Sequence, residues 1–431
     1  MRQPRCAATM TECHIEQRAG LGEALPSLQR GCVYLDWNAT TPIFPESSAA
    51  MLPYISSEFG NPSSSHAYGR TCKATLAEAR QAVADMVGAR AEEIYFTSSG
   101  TESDHWAIYG SVMAARAAWG FSERLPHVVT SAIEHPAVAA HLAHLAHQKL
   151  VTYTEVPVDG DGLVGAEDVL AAITPDTVLV SIMHSNNEIG SIQKIRHIAS
   201  SVRESFPHVL VHTDAAQSVG KVELNVEDLG VHMMTIVGHK FGAPKGVAAL
   251  FISSRVTSDK MCSFFYGGGQ EFGRRAGTEN VLLVAGMGAA AKVVQQELGA
   301  IKAHMAMLRD KLEARLAGAL PKECVRINGP ACAQGRLPNT LSISIRGLNS
   351  STALANLADK LAASAGAACH SSGGADISGV LKAIGVPTDF AMGTLRLSCG
   401  RHTTVEDIDA AAELILKEAA AQGIHVSEAK S

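Results

Sequence analysis

Short apolar runs alternate with longer amphipathic ones through the middle of this chain. The runs at 94–96, 127–131, 178–183, 209–213, 233–237 and 247–252 are brief and mostly rich in β-branched residues. That pattern predicts strands buried on both faces. Between several of them lie helical stretches. Residues 73–88 place Leu76, Val83, Met86 and Val87 on one face, with Gly88 set to end the helix. Another helix is expected to start within Ser98-Ser99-Gly100-Thr101-Glu102. Buried strands alternating with helices predict an α/β fold with a large, doubly wound, mostly parallel sheet.

The pattern changes toward the C-terminus. Residues 338–346 and 395–398 read as strands, and Thr403-Thr404-Val405-Glu406 has capping-box spacing ahead of a helix at 408–421. This predicts a smaller α+β domain. The expected divisions are an N-terminal extension at 1–31, mostly disordered, a large domain at 46–289, and a small domain formed by 32–45 and 290–431.

Composition narrows the function classes. A net charge of -6 over 431 residues argues against nucleic-acid or anionic-membrane surfaces. No run of about 18 apolar residues suggests a membrane span. Nine cysteines, irregularly spaced and without a CxxC pair, suggest neither a disulfide framework nor structural zinc. A reducing, cytoplasmic setting is expected, and no metal. Residues 1–30 mix Arg2, Arg5, Arg18 and Arg30 with Glu12, Glu16 and Glu23, which fits a signal or transit peptide poorly. A mitochondrial address is the alternative.

The chemistry gathers at strand ends. Lys240 directly follows the 233–237 run, and Asp214 ends the 209–213 run one strand earlier. Taken singly, a strand-end lysine is usually a solvated charge and a strand-end aspartate usually a helix cap. Together, at the carboxyl edge where doubly wound sheets bind ligands, they can face one ring. Pyridoxal phosphate needs that pair: an amine for its aldehyde and a carboxylate on its ring nitrogen. Gln217 can reach its phenolic oxygen, His135 can stack on it, and Ser99-Gly100-Thr101 forms a strand–glycine–helix cradle for phosphate. Cys369 lies in Ser364-Ala365-Gly366-Ala367-Ala368-Cys369-His370-Ser371-Ser372-Gly373-Gly374, which reads as a loop and makes it the candidate reactive thiol. Arg396 and Arg401 are candidates for clamping a substrate carboxylate.

The whole pattern resembles the class V pyridoxal-phosphate-dependent aminotransferase-fold family, within its selenocysteine lyase and cysteine desulfurase group. The resemblance runs from about Val33 to Thr404. It rests on Leu35-Asp36-Trp37-Asn38-Ala39-Thr40-Thr41-Pro42, Gly60-Asn61-Pro62-Ser63-Ser64, Ser99-Gly100-Thr101-Glu102-Ser103 and Glu134-His135. It continues through Asn186-Asn187-Glu188-Ile189-Gly190, Asp214-Ala215-Ala216-Gln217-Ser218, Gly238-His239-Lys240, Arg275-Ala276-Gly277-Thr278-Glu279-Asn280, Gly366-Ala367-Ala368-Cys369-His370-Ser371 and Leu395-Arg396-Leu397-Ser398.

The resemblance implies a type I fold and roles for single residues. Lys240 is the cofactor lysine and Asp214 the ring-nitrogen partner. Gln217 meets the phenolic oxygen, Asn187 sits beside the ring, and His135 stacks on it. Gly100, Thr101 and His239 hold the phosphate. Thr278 is given to the phosphate of a second subunit, implying a homodimer. Asn38 and Arg396 bind substrate, and Cys369 receives the chalcogen. The implied substrates are L-selenocysteine or L-cysteine, with alanine as product and an acceptor protein for the released atom. Val237 resembles the selenium branch. Pro136 departs from it, since animal lyases carry an aspartate there. A non-catalytic sulfur-relay scaffold is the reading from another class, and it would lack a cofactor absorbance band.

Overall fold

The computed structural model describes residues 31–331, 335–369 and 375–427, with Leu21, Glu23, Leu25 and Leu28 ahead of them. A seven-stranded sheet forms the centre. Its order is Ile94–Thr97, Ala248–Ile252, Met233–Val237, Leu210–Asp214, Thr177–Ser181, His127–Ser131, Thr152–Val156. Ala248–Ile252 runs antiparallel to both its neighbours, and every other pairing is parallel. Parallel neighbours need crossover connections, and helices supply them on both faces.

One face packs Val180, Val211, Met234 and Ile236 against Val83, Ile198, Val284 and Met287 of flanking helices. The other packs Leu179, Met233 and Leu250 against Trp106, Ile108, Val112 and Leu142. The helix expected at 73–88 covers Ala67–Val87 and stops at Gly88, whose φ of 67° lies where a glycine carries no steric penalty. Thr152–Val156 is the strand that the apolar pattern missed. It sits at the sheet edge, and its Thr152, Thr154 and Glu155 face water.

A second core lies beyond this sheet. An antiparallel sheet of order Ser364–Ala365, Thr394–Ser398, Thr340–Ile345, Val325–Ile327 packs Leu341, Ile343, Leu395 and Leu397 against Ile408 and Ile415 of helix Val405–Ala421. Helix Val281–Ala319 serves both cores. Val284 and Met287 enter the first, Leu308 and Leu312 the second. Residue 290, expected as a domain boundary, therefore lies inside a continuous helix. This is the one described helix long and apolar enough to cross a membrane, and over half of its most apolar window is buried inside the protein.

Two local expectations change. The capping box is one residue later than the spacing suggested. The Thr404 hydroxyl accepts from Asp407 N at 3.0 Å and the Asp407 carboxylate accepts from Thr404 N at 2.9 Å. The Thr403 hydroxyl instead accepts from Gly400 N, which leaves Thr404 as the cap. Cys369 closes a strand rather than lying in a loop: Ala367–Cys369 pairs antiparallel with Ala375–Ile377. Most of 1–31 lies outside the described residues. Leu25, however, is fully buried, and the Glu23 carbonyl lies 3.1 Å from His402 Nδ1, so this part is packed on the body.

Candidate active site

Five strands of the central sheet deliver side chains to one cavity of about 230 Å³ at their carboxyl ends. Gly100 and Thr101 follow Ile94–Thr97, His135 follows His127–Ser131, and Asn187 follows Thr177–Ser181. Asp214 closes its own strand with Gln217 just beyond, and His239 and Lys240 form the turn after Met233–Val237. All eight line the cavity.

The cradle is built by helix Gly100–Ala118. The Ser99 hydroxyl caps it by accepting from Glu102 N at 3.1 Å. The Glu102 carboxylate reaches back to Ser98 N at 2.8 Å and takes two bonds from Arg275. The first-turn amides of a helix have no intrahelical acceptor, so they are available to an anion. Gly100 is needed there, because a Cβ would lie 2.5 Å from Val237 Cγ2.

The cavity's charges are tuned by burial and by one another. Burial, helped by Arg396 and opposed by Asp214 and Asp36, lowers the Lys240 amine to about 8. Its Nζ donates to the carbonyls of Asn38 at 2.6 Å and Ala39 at 2.8 Å. Burial raises the Asp214 carboxyl, against the pull of Ala216 N, His135 and Lys240. His135 Nδ1 accepts from Ala137 N at 3.1 Å, which leaves Nε2 as its protonated nitrogen. Burial lowers that ring's basicity, so it is neutral near pH 7. His239 is pushed down to about 4 by burial and then by Lys240 and neighbouring lysines, and it pairs with the Thr40 hydroxyl at 3.1 Å.

A second cavity, of about 590 Å³, shares Asn187 with the first and is lined by Glu188, Ser364, Ser378 and Arg396. Arg396 donates to Asp36 Oδ1 and Ser364 Oγ, each at 2.7 Å, and to the Asn187 carbonyl at 3.2 Å. Its buried Nε has no hydrogen-bond partner among the described residues. Gly366 and Ile377, at the base of the Cys369 hairpin, line this cavity too. The Cys369 side chain itself lies outside the described residues.

Other expected residues are placed differently. Thr278 lines a separate cavity with Ser98, Glu271, Arg275 and Asn280. Asn38 is buried, and its side chain is spent on Thr340, Asn339, Lys221 and the Asn187 carbonyl. Its side-chain donors and acceptor are all engaged within the protein, and it lines neither cavity. Gln217 likewise bonds the Asn38 carbonyl and Lys221. Arg401 is buried against Glu46 and Glu297, tying two helices together away from both cavities. Residues not anticipated are Asp36, which neutralises Arg396, and Asp104 in the cavity lining, whose buried Oδ1 accepts no hydrogen bond among the described residues and lies 3.8 Å from His212 Nε2. Lys221 was also missed, though it stands four residues after Gln217, at a spacing that signals contact.

Pyridoxal phosphate fits this set. A buried carboxyl held above its ordinary range faces the cavity, an amine lowered to about 8 stands in the turn after the neighbouring strand, and a glycine-cleared helix start completes the cradle. A cationic ring nitrogen would relieve the cost of ionising Asp214 in so buried a place.

The comparisons agree with this geometry. The family model "Aminotransferase class-V" matches residues 33–411. Human selenocysteine lyase is 40% identical over 412 residues, covering 90% of this chain and 92% of that protein. The cysteine desulfurase IscS of Methanosarcina thermophila is 41% identical over 391 residues, covering 90% and 92%. Among solved structures, a NifS-like protein aligns with a TM-score of 0.79 at 33% identity, covering 89% of this chain and 98% of its own. Helices on both faces of a mostly parallel sheet, a lysine–aspartate cavity at its carboxyl edge and a match over most of the length have one meaning: the chain belongs to the class V aminotransferase family.

Proposed function

We propose that this enzyme uses pyridoxal phosphate to remove selenium from L-selenocysteine, leaving L-alanine, with L-cysteine as the second substrate reading. One observation carries it: Asp214, closing its strand, and Lys240, in the turn that follows the adjacent parallel strand, line a single cavity with the Gly100–Thr101 helix start. Relatives named selenocysteine lyase and cysteine desulfurase, at 38–42% identity, support both substrates.

Bound in the cavity, pyridoxal phosphate supplies an aldehyde for an amine and a ring that draws electrons from the substrate's Cα. The Gly100 and Thr101 amides and His239 would hold its phosphate, and Asp214 would keep a proton on the ring nitrogen. His135, fixed by Ala137 N, presents Nε2–H from the cavity wall. Arg396, held by Asp36 and Ser364 in the wall of the second cavity, would meet the substrate carboxylate. Lys240 takes the Cα proton, a task suited to an amine lowered to about 8. Cys369 then attacks the chalcogen. With cysteine, the Cβ–S bond breaks as an S–S bond forms. The balance is thiol plus cysteine to persulfide plus alanine.

A homodimer completes this reading, with Thr278 serving the partner's phosphate. The exposed Phe59, Tyr68, Tyr266 and Phe272 favour a covered face. We place the enzyme in the cytoplasm, in keeping with free thiols at Cys32, Cys72, Cys262, Cys324 and Cys399. An acceptor protein takes the released atom.

The test supplies each amino acid separately and measures alanine. The expected result is alanine from both, with cysteine turnover lost in Cys369→Ala. Alanine from neither substrate, with a cofactor band present, would refute the activity. Full cysteine turnover by the variant would refute the role of Cys369.

A further inference from the structure

Lys221 is a lysine that this chemistry does not use. It is 4% exposed, and a buried lysine needs a reason. Its Nζ donates to Gln217 Oε1 at 2.8 Å and to Asn38 Oδ1 at 3.0 Å. Both acceptors are neutral amides. Burial pushes the Lys221 amine well below the usual lysine range, and the charges of Lys240 and Arg396 add to that push.

Both partners lead to Lys240. Gln217 Nε2 donates to the Asn38 carbonyl at 2.9 Å, and the same carbonyl accepts from Lys240 Nζ at 2.6 Å. Asn38 is therefore gripped twice by the Lys221 amine, through its own side chain and through Gln217. Asn339 Nδ2 grips Asn38 Oδ1 as well, at 2.9 Å. The turn at residues 36–40 enters from the far N-terminal part of the chain, so these bonds fix where its carbonyls point.

We propose that Lys221 is a positioning residue that holds the Asn38 carbonyl against the Lys240 amine, giving that amine a fixed resting place whenever it is not bonded to cofactor. The inference rests on the reading of Lys240 as the cofactor lysine. The resting place favours the ammonium form, because a charged donor bonds a carbonyl more strongly than a neutral one. It therefore sets how much free amine the site offers. The charged and titratable groups facing Lys240 are Asp214, Asp36, Arg396, His135, His239 and Lys221 itself; Arg396 and His239 also lie within charge reach of Lys221, whose hydrogen bonds go to Gln217 and Asn38.

The test is the titration midpoint of Lys240, read by competitive amine labelling and mass spectrometry on the full chain freed of cofactor. Lys221→Met removes both donors at similar size. A slackened Asn38 carbonyl lowers the midpoint by about one pH unit, the size expected for losing one charge-assisted hydrogen bond. Lys221→Gln keeps an N–H donor without a titrating amine, and its midpoint stays near wild type. A midpoint in Lys221→Met that is unchanged overturns the proposal. One that rises overturns it as well, since it would mean that Lys221 acts by its charge. If the Met variant fails to fold, Asn339→Ala loosens Asn38 from the other side, and an unchanged midpoint there refutes the idea equally. A cofactor band that forms normally in wild type while Lys240 proves not to be the bonded lysine sinks the underlying reading instead.

Discussion

Adding one methyl group at Gly100 tests the cradle. In Gly100→Ala the new Cβ would lie 2.5 Å from Val237 Cγ2, about 1 Å inside ordinary contact. The next nearest atoms, Val237 Cβ and Cγ1, stand at 3.7 Å, so the clash is with a single methyl. Val237 is 4% exposed at the end of its strand and has little room to yield. Either the strand end or the helix start must shift. Overpacking of this kind costs about 1–3 kcal/mol. If the helix start takes up the shift, pyridoxal phosphate binding weakens by about tenfold to a hundredfold, at about tenfold per 1.4 kcal/mol. Val237→Ala removes the offending methyl. The pair Gly100→Ala/Val237→Ala should recover affinity to within about threefold, while losing roughly 1.5 kcal/mol of stability from the missing methyls. Cofactor affinity is read from the absorbance titration and stability from urea unfolding. Wild-type affinity in Gly100→Ala alone, or no recovery in the double variant, would refute the argument.

Two further outcomes follow from the charges. The Lys240 amine, lowered to about 8, is reactive only when unprotonated, so cofactor capture should speed up as pH rises and level off above about 8. An ordinary lysine would keep accelerating toward its usual range near 10.4. Stopped-flow absorbance distinguishes the two, and a rate still climbing beyond about pH 9.5 contradicts the assigned environment. Glu271 accepts two bonds from Arg80, at 2.6 and 2.7 Å, and one from Phe96 N at 2.8 Å. Glu271→Ala leaves the Phe96 amide without its acceptor and the buried Arg80 guanidinium with the Ile94 carbonyl but no counter-charge, and should cost about 3–5 kcal/mol by urea unfolding. A loss under about 1 kcal/mol would mean that solvent reaches the pair.

The parts of this molecule that were readable in sequence are those fixed by local pattern. Apolar runs marked the six buried strands, and residues just past their ends marked the cavity, because a parallel sheet gathers its carboxyl ends at one edge. Thr152–Val156 escaped because an edge strand facing water has no reason to be apolar. The Cys369 hairpin escaped because three-residue strands of alanine and cysteine carry no period. The capping box slipped by one because two threonines and two acids stand side by side, and only Thr403's bond to Gly400 N decides between them. Asp36 and Arg396 are 360 positions apart, and Arg80 and Glu271 are 191 apart. No local rule pairs such residues. Lys221 carried a legible cue in its spacing from Gln217, but nothing in one sequence shows that a lysine is buried.

Helix Val281–Ala319 sets a limit on how the enzyme can move. At 39 residues it is about 58 Å long. It is anchored in one core near its first turns and in the other near its last, with no proline to bend it. A strut fixed at both ends resists opening and closing of the gap between the bodies it joins. Any relative motion of the two bodies would have to bend this helix, and Gly299, between its two anchored stretches and with open space around it, is where it would yield first.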